Sequence, residues 1–373
     1  MLTQRDCKSG GSGISVAVLR AGAASRLKFM GDFMLGFIRT LGLVAAFAFS
    51  ALHLAQAQTT TPIRLGYIPV MGVAQIFVAE GEGWTKEKGL DIKFASFESG
   101  PNMIQALASG TLDVYVAGLA PLLVARAKGQ DVRVVAATVV EELGVAAGPA
   151  LAPFFPGGKG TAVGFKAFRE KTGRRAKLAT QPIGSGPNAT LQYWLWEKLK
   201  ADKADIDIIE MGIDATQRAI LTGAAEGGNI REPALTIAQR QNPNIKLVAT
   251  GADMFPNFPG VVVAVSGAFA DKNPKAVEDL VRLVIRATKL LETDPARAAP
   301  HVGVGLGKGL VANDIVLAAL KSPQTRFTSD PRRIIESTAK LQDYQVKLGA
   351  LAKALPLEGL FAVDVYERAL AGN

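Results

Sequence analysis

Short apolar segments alternate with segments of helical periodicity along most of this chain. Ile63–Ile68 is typical of a buried strand, and Val73–Lys88 carries apolar side chains at the spacing of one helix face. A second block repeats the alternation from Lys177 onward. Strands that are separated by helices usually pair in parallel, in sheets covered by helices. The sequence therefore predicts an α/β fold, and its 373 residues are enough for about two domains.

A short apolar segment near the amino terminus has the pattern of a secretory signal. Leu41–Leu54 is apolar almost throughout, follows the basic residue Arg39, and precedes the small-residue motif AQA at 55–57. A membrane span needs about 20 apolar residues, so retention of the segment as an anchor is the less favoured alternative. Residues 1–57 are predicted to be a cleaved signal peptide, and the mature protein is expected to be soluble in the periplasm.

The composition excludes several kinds of site. The chain has one Cys and two His, and Cys7 and His53 both precede the predicted cleavage point. The predicted mature chain therefore has no cysteine for a disulfide or for a Cys-based zinc site. Its one histidine, His301, has no cluster of metal-ligating residues near it in sequence. The net charge of +9 is scattered, and the basic run at 171–177 is short for a nucleic-acid site. We expect no catalytic residue, metal, cofactor or nucleic-acid partner, and a monomeric mature protein.

Two segments of the chain share one pattern of helix, glycine, acid and strand. Gly110 aligns with Gly223, and each has the position of a left-handed helix cap. The acids that follow, Asp113 and Glu226, then fall at the same place in the pattern. Two related units, one in each block, indicate two similar lobes. Chance similarity between ordinary helix–turn–strand units is the alternative.

The tetrapeptide Ser-Gly-Pro-Asn occurs twice, at residues 99–102 and 185–188, each time before a helical pattern. Serine suits the cap position and proline suits the first turn of a helix. Helix amino termini carry free N–H groups and a partial positive charge, so they bind anions. The pair of motifs predicts an oxyanion held from both lobes. The alternative is that both are plain helix starts.

Five longer segments resemble a known family in their order along the chain. They are IRLGYIPVMGVAQIFVAEGEGWTKEKGLDIKF at 63–94, SGPNMIQALASGTLDVYVAG at 99–118, TQPIGSGPNATLQYWL at 180–195, NIREPA at 229–234 and the return segment from Pro259 to Ala299. Together they resemble the extracytoplasmic solute-binding proteins of ABC importers, of the nitrate/sulfonate/taurine and thiamine-precursor type. The resemblance covers about residues 62–300.

The resemblance implies a two-lobed fold of the type II-like periplasmic binding proteins. Each lobe would be a mostly parallel sheet flanked by helices, with the ligand cleft between the lobes. Residues 58–150 would form the first part of lobe I, 151–254 lobe II, and 255–373 the return strand and carboxyl-terminal helices of lobe I. Such a protein captures a solute and delivers it to the transmembrane subunits of an ABC permease.

Ligands in such folds bind beside the carboxyl ends of strands, next to helix amino termini. Carried over to this sequence, that rule selects the loops after the predicted strands as ligand-binding. The predicted ligand-binding residues are Met71, Gly72, Ser99, Gly100, Asn102, Gly118, Leu119, Gly184, Ser185, Gly186, Asn188, Arg231 and Phe258.

Arg231 stands where this family commonly has Trp. A guanidinium binds a carboxylate, sulfonate or phosphate through two parallel hydrogen bonds, so Arg231 predicts an anionic solute. The alternatives are an ion pair with Glu232 or Glu226, or an exposed strand end. The glycines in Ala224–Asn229 predict a poor strand, bulged or mobile at a sheet edge.

The sequence therefore predicts the solute-binding component of an ABC importer, for a small sulfonate, carboxylate or inorganic oxyanion. A binding subunit that serves a sensor is one alternative. An enzyme on the same scaffold, related to pyrimidine precursor synthesis, is the other, and the scarcity of Cys and His argues against it.

Overall fold

The computed structural model describes residues 60–307 and 311–372. The predicted signal peptide lies outside the described residues. Within them, no helix is both long enough and apolar enough to cross a membrane.

The first part of the chain builds most of one sheet and the helices around it. Its elements are β1 (Thr61–Tyr67), α1 (Ala74–Gly81), α2 (Trp84–Glu87), β2 (Leu90–Ser96), α3 (Gly100–Ala108), β3 (Val114–Gly118), α4 (Ala120–Ala127), β4 (Val132–Ala137) and β5 (Val139–Val140).

The middle of the chain builds a second sheet. Its elements are β6 (Gly144–Ala147), α5 (Ala162–Thr172), β7 (Ala176–Thr180), α6 (Gly186–Gln192), a π-helical continuation (Tyr193–Lys198), β8 (Ile206–Glu210), α7 (Ile213–Thr222), β9 (Gly227–Ile230), α8 (Ala234–Gln241) and β10 (Lys246–Ala249).

The last part returns to the first sheet and covers it with helices. Its elements are α9 (Gly251–Met254), β11 (Val261–Ser266), α10 (Gly267–Lys272), α11 (Pro274–Thr293), α12 (Pro295–Gly307), α13 (Asn313–Leu320), β12 (Arg326–Phe327), α14 (Ile335–Lys347) and α15 (Val363–Ala371).

The two five-stranded sheets have the same arrangement and define two lobes. The order is β2-β1-β3-β11-β4 in the first and β10-β6-β9-β7-β8 in the second. The predicted two-lobed α/β fold is confirmed, but each sheet is more mixed than expected. β11 pairs antiparallel with β3 and β4, and β6 pairs antiparallel with β9 and β10, because each is a strand that the chain adds on crossing between lobes.

The lobe boundary lies upstream of the predicted one at residue 150. Gly144–Ala147 already pairs with the second sheet, so the chain crosses just after Val139–Val140. The Gly- and Pro-rich segment 148–164 lies within the second lobe, where it follows β6 and ends in the first turn of α5. The return crossover lies between Ala249 and Val261 and includes the predicted boundary at residue 254.

The hydrophobic core of the first lobe is built around β11. Val261–Val265 is completely buried, with β3 on one side and β4 on the other. A central strand that is covered on both faces needs no polar alternation, and this explains the uninterrupted run VVVAV.

The internal repeat is confirmed, and the structure gives its physical reason. Gly110 and Gly223 both end their helices with left-handed backbone, at φ of 71° and 74°. Asp113 then accepts the backbone N–H of Arg64 on β1 at 2.9 Å, and Glu226 accepts that of Lys177 on β7 at 2.8 Å. In each lobe an acid before one strand therefore fixes the start of the parallel strand beside it.

The prediction of a weak edge strand at 224–229 is wrong, because β9 is the central strand of its sheet. A Cβ on Gly227 would lie 2.5 Å from the carbonyl oxygen of Ala146, and one on Gly228 would overlap that of Ala179. The glycines therefore serve a close approach of three backbones.

The two crossovers between the lobes are bonded to each other. Glu141 and Asn257 both have left-handed backbone, at φ of 52° and 57°. The Asn257 N–H donates to Glu141 Oε1 at 2.5 Å, and the Glu141 N–H donates to the carbonyl oxygen of Phe258 at 3.1 Å. These bonds hold the two crossovers together where the chain passes between the lobes.

Replacing Asp113 by Asn is expected to destabilise the protein by about 1–2 kcal/mol at pH 7. Burial would raise the pKa of Asp113, but the hydrogen bonds and charge of Arg64 outweigh it and hold that pKa below its usual value. The stabilisation is thus present at neutral pH and is lost as the pH falls through the lowered pKa. Urea unfolding at several pH values measures it. Asp91→Asn, at an exposed surface pair with Lys93, is the control and should have almost no effect; equal losses in both would contradict the anchoring role.

Asn257→Ala is expected to cost about 1 kcal/mol of unfolding free energy, whereas Asn257→Gly should be nearly neutral. Alanine is strained in left-handed backbone and glycine is not. Urea unfolding of both variants tests this, and a glycine variant as unstable as the alanine variant would show that the Asn side chain, not the backbone, matters.

Candidate functional site

The loops at the carboxyl ends of the parallel strands of the two sheets meet between the lobes. The Met71 N–H donates to the carbonyl oxygen of Glu232 across the interface at 3.3 Å, and the Ile213 N–H donates to that of Glu98 at 3.4 Å. The structure thus brings the predicted loops of both lobes together in a closed arrangement.

Both Ser-Gly-Pro-Asn motifs are capped helix starts. Ser99 Oγ accepts the N–H of Asn102 at 3.4 Å, and Ser185 Oγ accepts that of Asn188 at 3.3 Å. Because proline has no N–H, the glycine N–H is the donor that each motif keeps for a ligand in its first turn. The motifs therefore offer less to an anion than two uncapped helices would.

The glycines of these motifs have close neighbours. A Cβ on Gly100 would lie 2.6 Å from the Tyr115 hydroxyl, and one on Gly186 would lie 2.8 Å from the ring of Phe258. Tyr115 is fully buried, and its hydroxyl donates to the carbonyl oxygen of Gly118 at 2.7 Å. Predicted residues of both lobes therefore pack around two buried rings.

Arg231 is buried between the lobes, with 5% of its surface exposed. Its Nη1 donates to Glu142 Oε1 at 2.6 Å. The alternative partners predicted for Arg231 are wrong. Glu226 bonds Arg174 and the N–H of Lys177, and Glu232 accepts the N–H of Thr236. The alternative of an exposed strand end is also wrong, because Arg231 is buried.

Burial governs the electrostatics around this pair. It raises the pKa of the Glu142 carboxyl, and the charge and hydrogen bond of Arg231 oppose that rise. Burial also raises the pKa of the Tyr115 hydroxyl, against the opposing charge of Arg231. The guanidinium is thus the positive centre of a dry region that contains groups from both lobes.

Arg231 also lines a small cavity of about 20 Å³, room for roughly one water molecule. Its polar lining is Gln181, Thr216, Gln217, Asn229 and Arg231, and its apolar lining is Leu143, Pro187, Ile213, Ile230 and Ala234. Among these lining residues of the described chain, Arg231 carries the only charge. Amide, hydroxyl and guanidinium groups around one small space are suited to an anionic head group.

The predicted residues divide by their place around this cavity. Arg231 lines it, whereas Gly118 and Gly184 are partly exposed and Asn102 is exposed on the outer side of α3. The predicted residues that are buried but do not line the cavity are Met71, Gly72, Ser99, Gly100, Leu119, Ser185, Gly186, Asn188 and Phe258. Asn188 uses its side chain within its own lobe, donating to the carbonyl oxygen of Gln181 and to Glu210 at 3.2 Å each.

Sequence reasoning missed four polar residues that line the cavity: Gln181, Thr216, Gln217 and Asn229. They lie at the end of a strand or in the first turn of a helix, which is the same signal that selected the other loops. They lack a neighbouring Gly-Pro motif, and so nothing local marked them. Among the described residues there is also no cluster of three or more His, Cys, Asp or Glu arranged for a metal ion.

The fold is that of the periplasmic binding proteins. The structure aligns with the alkanesulfonate-binding protein of Xanthomonas axonopodis pv. citri at a TM-score of 0.65 and 19% identity, covering 80% of this chain and 97% of that one. It aligns with the periplasmic nitrate-binding protein of Synechocystis at a TM-score of 0.68 and 15% identity, covering 84% and 89%.

The chain belongs to the NMT1-like family, whose model matches residues 56–303. A Brucella abortus protein that is named only as a binding protein, with no ligand stated, is 24% identical over 242 residues. That match covers 64% of this chain and 69% of the relative.

Removing one member of the buried pair is expected to be far more harmful than removing both. Arg231→Met leaves Glu142 buried without its partner and should cost about 3–5 kcal/mol of unfolding free energy. The double variant Arg231→Met/Glu142→Leu should recover most of that loss, because no buried charge remains. Urea unfolding at pH 7 measures both, and a single variant as stable as the wild type would mean that water reaches the carboxyl.

Proposed function

We propose that the chain is the extracytoplasmic solute-binding component of an ABC importer and that it captures a small anionic solute between its lobes. The solute would be a carboxylate, a sulfonate or an inorganic oxyanion. The partners would be the transmembrane subunits of the permease, and a cleaved signal peptide would direct the monomeric protein to the periplasm.

One observation carries the choice of solute. Arg231 is buried and is the charged group of a small polar cavity lined by residues of the second lobe and by Leu143 of the crossover, and its neighbour Glu232 accepts the N–H of Met71 from the first lobe. Glu142 takes one hydrogen bond from Nη1, and a guanidinium has five N–H donors in a fixed plane. The remaining donors are available to an oxyanion, while Glu142 holds the plane in place.

The size of the cavity determines the order in which the lobes open and the solute binds. A space of about 20 Å³ admits no organic solute, so the lobes must separate before one enters. Rotation about the paired crossovers at Glu141 and Asn257 would open the cleft, and closure would then remove water from the head group and strengthen its contacts with Arg231.

A thermal-shift screen tests the proposal on purified protein. The panel holds carboxylates, sulfonates and nitrate, with neutral and cationic compounds as controls. An anion at 100 times its dissociation constant should add about 2.7 kcal/mol of stability and raise the melting temperature by several degrees. Stabilisation by cations or neutral amines alone would contradict an anionic solute.

The variant Gln217→Met tests whether the solute binds at the cavity or elsewhere on the protein. Gln217 is half-buried and lines the cavity, so its loss should weaken binding of the stabilising anion about fivefold to tenfold. Gln239→Met, at a half-buried glutamine of α8 outside the cavity, is the matched control and should bind like the wild type. Equal affinities of the two variants by calorimetric titration would place the solute elsewhere.

A further inference from the structure

We infer that Gln345, on α14, is a positioning residue that holds the two lobes in the closed arrangement. The inference concerns the closure of the site described above and rests on the proposed function. It assigns to α14 a part in solute capture, although that helix contributes nothing to the cavity lining.

Gln345 bridges the two lobes with one side-chain amide. The side chain is fully buried, and its Nε2 donates to the carbonyl oxygen of Ala120 at 3.3 Å and to that of Gly184 at 3.2 Å. Ala120 begins α4 in the first lobe, directly after Leu119, and Gly184 lies in the loop before α6 of the second lobe. The amide therefore joins the first residue of a helix in the first lobe to a loop of the second lobe.

The helix that carries Gln345 is anchored to both lobes. On the second lobe, the Tyr344 ring packs edge-on against Tyr193 with centroids 5.0 Å apart, and Lys347 Nζ lies 2.5 Å from Glu197 Oε1. On the first lobe, α14 packs against α4. Gln345 sits between these anchors, so it cannot follow one lobe away from the other without breaking a bond.

The partners of the amide nitrogen distinguish Gln345 from the other buried glutamine of α14. The Oε1 atoms of Gln342 and Gln345 are both buried without a hydrogen-bond partner among the described residues. The Nε2 of Gln342 reaches only the carbonyl oxygen of Leu355, whereas that of Gln345 reaches one carbonyl oxygen in each lobe. Its two bonds, at 3.3 and 3.2 Å, are similar in length to the two direct backbone bonds between the lobes, at 3.3 and 3.4 Å. The amide bridge therefore adds two comparable hydrogen bonds to an inter-lobe contact that also includes the ion pair of Arg240 on α8 with Asp314 on α13.

Pulsed electron paramagnetic resonance on spin-labelled protein, with no solute added, tests the inference. The labels go on Lys93→Cys in β2 and Lys166→Cys in α5, whose side chains are 71% and 62% exposed, one on each lobe. The background is Cys7→Ser, because Cys7 is the one cysteine of the sequence.

Gln345→Met is compared with Gln342→Met, a matched control one turn earlier on the same helix. Gln342 is also buried and donates to the carbonyl oxygen of Leu355 at 2.7 Å, outside the cleft. Methionine keeps the length of the side chain and favours helix, so both variants should fold, which the melting temperature and circular dichroism verify.

Gln345→Met should add a population at longer inter-lobe distance, with the closed-to-open ratio about tenfold below that of Gln342→Met. Three results would overturn the inference: an unchanged distance distribution, equal opening in both variants, or a wild type that is already fully open without solute. The measurement needs no solute, so a failed solute screen and a failed bridge remain distinguishable.

Discussion

The arrangement of the cleft depends on one buried ion pair. Arg231 follows the central strand of the second sheet, and Glu142 lies in the crossover that enters that sheet. Each charge would be very costly to bury alone, so neither side chain is buried without the other. The pair thereby connects the end of β9 to the crossover, and it holds a guanidinium at the edge of a small polar cavity in the second lobe.

In both lobes, an acidic side chain fixes the position of a neighbouring parallel strand. Asp113 and Glu226 each follow a glycine-terminated helix and accept a backbone N–H from the neighbouring parallel strand. This fixes the strands relative to each other at one end, and the loops at the opposite end are free to differ. The first lobe has Gly118 at the end of β3, whereas the second has Arg231 after β9. The charge of the site therefore comes from a loop position that the scaffold leaves free to vary.

Local sequence patterns predicted the helices and helix starts that depend on interactions between residues close together in the sequence. Helix periodicity located α1, and the Ser-Gly-Pro-Asn motifs located the starts of α3 and α6, because caps act within four residues. Gly227 and Gly228 were misjudged, since their reason is the approach of strands from elsewhere in the chain.

The partners of the site residues could not be predicted for the same reason. Glu142 lies 89 residues from Arg231, and Gln345 lies 161 residues from Gly184, so the fold alone brings them together. The residues that line the cavity carry ordinary amide and hydroxyl groups, which have no distinctive sequence pattern.

The most direct test of the account is a crystal structure of the protein with the anion that stabilises it most. The account predicts that the anion's oxygen atoms lie within hydrogen-bond distance of Arg231, between loops of both lobes, with Glu142 still bonded to the guanidinium. A solute bound away from Arg231, or one that contacts only a single lobe in a closed molecule, would contradict it.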